Sequence, residues 1–191
     1  MDEATLVLYM ILYVLLPLWG LASMLDWWCH KQTSIESTSG LHEANIHCLM
    51  GFQIAIPLVL SLIFEVNVLV LILCLAALIA HELVAHYDVH FTTDKREISI
   101  WEVHAHNYLA TLPFFLFLLI VVRKWDVFID LITLNWSGGF GLEWRKEPLG
   151  ATGNYAAFYI GTMAILVVVP YFQEWWRCWS YQRRQMNEVP E

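Results

Sequence analysis

Charge is scarce in this chain. Asp, Glu, Lys and Arg make up 15% of its 191 residues against 59% apolar ones, a balance that excludes an ordinary water-soluble globule. Paired cysteines are missing too: Cys29, Cys48, Cys74 and Cys178 form no CxxC, so neither a disulfide framework nor a cysteine zinc site is expected. There is no basic stripe, and the formal charge of −8 speaks against a nucleic-acid partner. The "GGFG" at 138–141 lacks the lysine, threonine and preceding strand of a phosphate-binding loop and reads as a turn. No soluble domain, repeat array or low-complexity tract interrupts the chain.

What is present in abundance is long apolar runs. A bilayer core of about 30 Å takes roughly 20 helical residues to cross. Five runs of that length occur, at about 4–25, 44–64, 66–87, 103–122 and 155–175. The first begins behind Asp2 and Glu3 rather than Lys or Arg and is longer than the core of a secretory signal, so it is expected to be retained. The expected fold is therefore all-α: residues 1–180 form an integral membrane bundle of about five transmembrane helices, followed by a polar tail at 181–191. The stretch after Arg123 opens with a possible amphipathic interfacial segment and ends in a Gly- and Pro-punctuated loop.

Five crossings put the ends of spans 1, 3 and 5 and the starts of spans 2 and 4 on one side. That side carries Lys31, Lys95, Arg96, Arg177, Arg183 and Arg184, against Arg123, Lys124, Arg145 and Lys146 opposite. The positive-inside rule then places it, with the C-terminus, at the cytoplasmic face of an inner membrane. Tryptophans gather near both sets of boundaries, Trp27, Trp28, Trp101, Trp175, Trp176 and Trp179 on one side and Trp125, Trp136 and Trp144 on the other, as in an aromatic belt.

All eight histidines lie between positions 30 and 106. Four follow a carboxylate by four residues: Asp26 and His30, Glu43 and His47, Glu82 and His86, Glu102 and His106. Chance would supply fewer than one such pair at this composition. On a helix, residues i and i+4 sit about 40° apart and one turn along, so each couple is half of a metal site. The couples belong to the same-side ends of four helices, with Asp26 and His30 at or just beyond the end of span 1. A lone ionisable group within a span costs roughly 2.5–3.5 kcal/mol, so a collection this large near one leaflet calls for compensation.

His81, one turn deeper than His86, is a further candidate ligand, and Asp88 and His90 add donors to the same helix end. His42 is better placed to touch a ligand than to be one, and His104 lies far round the helix from the Glu102/His106 stripe. Glu36 and Glu174 are candidates for an extra carboxylate or for orienting an imidazole. A mixed set of carboxylate and imidazole suits iron, manganese or zinc, and the stock of ligands is enough for two ions with open positions.

The layout of clustered histidines at the ends of membrane helices, over residues 26–106, resembles the membrane-bound di-iron hydroxylase and desaturase superfamily. "HYDVH" at 86–90 matches that superfamily's HxxxH form, while "HAH" at 104–106 matches neither HxxxH nor HxxHH, the chain has no HxxHH, and its carboxylates outnumber those of the superfamily. The layout is also similar to that of small bacterial five-span proteins rich in His and Glu. The superfamily resemblance implies O₂ activation at two irons, acting on a lipid or other hydrophobic substrate with electrons from an external donor. Two other functions remain open on the residues: a zinc-dependent membrane hydrolase, and a non-catalytic metal-binding subunit of a membrane complex.

Overall fold

The computed structural model describes residues 2–137 and 139–188. Five helices are long and apolar enough to cross a membrane: α1 (Glu3–Gln32), α2 (Gly40–Ile63), α3 (Val68–Thr93), α4 (Ile100–Arg123) and α6 (Tyr155–Glu188). Between the last two lies a short helix, α5 (Trp125–Ile132), whose Trp125, Ile129 and Ile132 are exposed and which buries none of its residues. Among the described residues there are no strands, only two isolated bridges, Phe64 with Trp144 and Leu149 with Asn154.

Each long helix outruns the apolar stretch that announces it. Helix α1 continues to Gln32 and so contains Asp26 and His30, α3 continues to Thr93, and α6 continues to Glu188 with its last residues exposed. Residues 181–188 of the expected polar tail are thus helical; residues 189–191, and Gly138 of the "GGFG" turn, fall outside the described residues.

The helices close into a ring in the order α1, α4, α3, α2, α6 and back to α1. One stripe of each faces inward. On α1 it is Trp19, Ala22, Ser23, Asp26, Cys29 and His30, and on α3 it is Leu71, Cys74, Leu78, His81, Asp88 and Thr92. The steps of three, four and seven are those that keep residues on one helical face. Along both stripes the chemistry changes from apolar to ionisable toward the same end of the ring.

Two π-helical turns, Ile11–Leu15 in α1 and Ala164–Val168 in α6, interrupt the regular pattern. Pro17 has no N–H to return to the carbonyls one turn before it. The Tyr155 hydroxyl donates to the Leu12 carbonyl, and the Tyr159 hydroxyl donates to the Leu16 carbonyl at 3.0 Å. At the end opposite the ionisable groups, Arg145 donates from Nη2 to the carbonyls of Ser61 (2.6 Å) and Phe64 (3.2 Å), and from Nε to that of Leu62 (3.3 Å). These are the carbonyls that the C-terminus of α2 leaves without helical partners, and a cation there is also favoured by the helix dipole. Arg145→Ala is expected to cost about 1–3 kcal/mol, seen as a lowered apparent midpoint when the purified protein is heated in detergent under circular dichroism. An unchanged midpoint would show that the clamp is idle.

Candidate metal centre

At one end of the ring, five helices and one loop bring nine ionisable side chains together. Helix α1 supplies Asp26 and His30, α2 supplies Glu43 and His47, α3 supplies Asp88, α4 supplies Glu102 and His106, and α6 supplies Glu174. Arg96 enters from the loop between α3 and α4. Glu43 and Glu102 are fully buried, Glu174, Asp26 and Asp88 are at most 2% exposed, and His30 is fully buried.

Glu174 organises the imidazoles. The rings of His30 and His47 stack with centroids 4.6 Å apart, and the Nδ1 of each donates to a different oxygen of the Glu174 carboxylate, at 3.0 Å in both cases. With both Nδ1 positions engaged, both Nε2 atoms turn inward, the arrangement by which a carboxylate orients a metal-binding histidine. Neither Nε2 has a hydrogen-bond partner, nor do Asp26 Oδ1 and Asp88 Oδ1 by hydrogen-bond geometry.

What those nitrogens face is carboxylate oxygen. His30 Nε2 lies 3.5 Å from Asp26 Oδ1, 3.4 Å from Glu102 Oε1 and 3.9 Å from Glu43 Oε1. His47 Nε2 lies 3.8 Å from Glu43 Oε1 and 3.6 Å from Asp88 Oδ2. His106 Nε2 approaches Asp26 Oδ1 at 2.9 Å. Separations of 3.4–3.9 Å are long for an N–H···O bond. The shortest of them, 3.4 and 3.5 Å, come near the edge between ligands of one ion, since two donors at about 2.0–2.1 Å from a tetrahedral metal are roughly 3.3 Å apart.

Two overlapping groups that share His30 could hold a metal ion: Asp26, His30, Glu102 and His106, and a second of His30, Glu43 and His47. His30 has only Nε2 to offer because Nδ1 is held by Glu174. That nitrogen is closer to Asp26 and Glu102 than to Glu43, which assigns it to the first group. Asp88 Oδ2 lies 3.6 Å from His47 Nε2, beside the second group but not in it.

Arg96 lies across both groups. Its Nη2 donates to Glu43 Oε1 (2.7 Å) and to Glu102 Oε1, its Nη1 to Glu102 Oε2 (2.9 Å), and its Nε approaches Glu43 Oε2 (3.4 Å). Burial alone would pull the guanidinium below its ordinary pKa, but the hydrogen bonds and charges of Glu102 and Glu43 outweigh it and hold the group above that value. Around the edge, Ser39 donates to Glu43 Oε2, and Tyr171 donates to Asp26 Oδ2 at 2.8 Å.

Seven of the residues expected from the sequence therefore meet: Asp26, His30, Glu43, His47, Asp88, Glu102 and His106. Four do not. Glu82, His86 and His90 are exposed, and His81 is buried but lies outside both groups, its Nδ1 without a partner. The reason is rotational: the inward stripe of α3 runs through His81 and Asp88, and Glu82 is turned about 100° from His81. His42 and His104 are exposed, the former within 3.1 Å of the Tyr87 hydroxyl. Glu36 pairs with Arg177 at 3.1 Å and touches no imidazole. Arg96, Tyr171 and Ser39 were not foreseen as parts of the site.

No protein-family model, no curated protein and no solved structure was found to match the chain.

Glu174→Gln is expected to weaken Co²⁺ binding about 10–100-fold, read from the visible spectrum during titration. The double change Glu82→Gln with His86→Gln is expected to leave that affinity as it is. The reverse pattern would put the ion on the outer face of α3.

Proposed function

We propose that the chain is an integral membrane oxidoreductase with two metal ions, iron by preference, that uses O₂ to hydroxylate or desaturate a hydrophobic substrate. The observation that carries this reading is the Glu174 clamp, which turns two buried imidazoles toward carboxylates at the spacing of shared ligands. Charge supports two ions. Five buried carboxylates against one guanidinium leave −4 with neutral imidazoles, the charge that two divalent cations cancel. Oxygen and nitrogen donors without thiolate favour iron, with manganese and zinc as the other candidates.

Several features favour oxygen chemistry over hydrolysis. The ligands are almost wholly shielded from water, whereas a hydrolase consumes a water molecule in every turnover. An apolar cavity lies within the same ring, beneath the cluster, as an oily substrate requires. In hydroxylation one oxygen atom of O₂ enters a C–H bond and the other leaves as water, with two electrons and two protons supplied from outside. The ions would supply the O₂-binding positions and the redox equivalents. Asp26, Glu43, Asp88 and Glu102 would balance their charge, and Glu174 and Tyr171 would hold the ligands in place. The electrons would come from an external donor, at the face that the positive-inside rule favours as cytoplasmic.

The contact of Arg96 with both Glu43 and Glu102 favours a second reading. If the guanidinium stands in place of one cation, the Asp26, His30, Glu102 and His106 group becomes a single-zinc site, suited to a membrane hydrolase with a carboxylate as general base.

Anaerobic loading with ferrous iron separates the two. About two irons per chain, coupled in the Mössbauer spectrum, are expected; a single tightly held zinc that iron cannot displace would select the hydrolase. Because the imidazoles bind metal only when neutral, metal competes with protons for them, so affinity is expected to fall as pH is lowered. Calorimetric titration at two pH values reads this, and pH-independent affinity would contradict ligation by these histidines.

A further inference from the structure

Arg96 is the one member of the cluster that no helix carries. It stands in the six-residue loop 94–99 between α3 and α4, and that loop is tied down at both ends. The backbone N–H groups of Lys95 and Arg96 donate to the Thr92 carbonyl at 2.9 and 3.1 Å. At the far end the Ser99 hydroxyl accepts from the Glu102 N–H at 3.2 Å, capping α4. Between these ties Asp94, Lys95 and Glu97 are exposed, whereas the Arg96 side chain runs inward and is only 4% exposed.

The grip of the guanidinium is divided. Nη2 donates to Oε1 of both Glu43 and Glu102, the oxygens that face His30 Nε2, while Nη1 donates to Glu102 Oε2 and Nε approaches Glu43 Oε2. An ion set against His30 takes the Oε1 atoms and leaves the Oε2 atoms to Arg96. The guanidinium can therefore close over a filled centre, yet it lies across the way in from the loop. A second place for it exists outside. Asp94 and Glu97 flank it in sequence and enter no ion pair among the described residues, and the other cation of the loop, Lys95, lies over the Phe91 ring. Turning outward exchanges one pair of carboxylates for another, which gives the side chain two discrete states.

The alternative way in is His106, the most exposed ligand, with 17% of its side chain accessible. It lies seven residues down α4 from Ser99, about 10 Å, on the flank of the ring. With the helices in a bilayer that flank meets lipid and the loop meets water, so a hydrated ion comes by the loop.

We propose that Arg96 is the latch of the metal centre: an ion enters and leaves while the guanidinium is turned out to Asp94 and Glu97, and the guanidinium then closes on the Oε2 atoms of Glu43 and Glu102. This role rests on the reading of the cluster as a metal centre and is independent of the reaction performed there.

Stopped-flow uptake of Co²⁺ by the full-length purified protein, followed in the visible spectrum, tests the latch. A centre that must open before it fills is expected to show an uptake rate that levels off as Co²⁺ is raised. Arg96→Lys keeps the charge and gives up the two-sided grip. It is expected to raise the plateau about tenfold and to speed Co²⁺ loss to excess EDTA by a similar factor, so that affinity changes little. The surface double variant Asp94→Asn with Glu97→Gln removes the outward partners and is expected to slow both low-Co²⁺ uptake and loss about threefold. Uptake that stays proportional to Co²⁺, or rates that ignore Arg96→Lys, would put the entrance at His106 and overturn the latch while leaving the metal centre standing. Faster loss without faster uptake in Arg96→Lys would make Arg96 a support for its two glutamates, and slower uptake with unchanged loss in the double variant would mean weaker attraction alone; either overturns the latch. A chain that takes up no Co²⁺ overturns the latch and the metal centre together.

Discussion

Five carboxylates buried at one end of an apolar helical ring are the constraint around which the rest of the molecule is arranged. At roughly 3 kcal/mol for each ionisable group placed in a membrane, they would cost about 15 kcal/mol if left alone, as much as the whole stability of an ordinary domain. Arg96 answers one of them and shares itself between Glu43 and Glu102. Glu174 is answered by two imidazole N–H groups, and Asp26 in part by the Tyr171 hydroxyl. The remaining oxygens lie 2.9–3.9 Å from imidazole Nε2 atoms, an arrangement that a cation would complete.

The ring makes the convergence possible. Because α1 contacts both α4 and α6, and α2 contacts both α3 and α6, ionisable side chains from every long helix reach one volume. Helix α6 plays a special part. It offers no histidine, yet its Glu174 sets the orientation of two of them from behind. The same ring encloses the cavity, so that one end is ionisable and rigidly paired while the interior below it is apolar, with the Trp19, Ile54 and Leu112 layer in between.

Much of this was legible in the residues. The five apolar runs mark the five long helices, and three of the four carboxylate–histidine couples meet because their i, i+4 spacing coincides with the buried stripe of their helix. The fourth couple, Glu82 and His86, has the same spacing and lies on the wrong face. Leu71, Cys74 and Leu78 continue through His81 to Asp88, and that apolar stripe carried the rotational information the spacing alone lacked. Glu174 was visible as a carboxylate at the right end of the last span, but its two-sided contact depends on how α6 docks between α1 and α2, which no local pattern encodes. Arg96 was hidden for a similar reason. In "TTDKREIS" it looks like one more cytoplasmic-side cation, and only the packing of α2 against α3 brings Glu43 within its reach.

X-ray absorption at the iron edge of anaerobically loaded protein tests the shared centre most directly. The account predicts a first shell of nitrogen and oxygen at about 2.0–2.2 Å, with a second iron at about 3.5–4 Å. A shell containing sulfur, or iron with no metal neighbour, would contradict it.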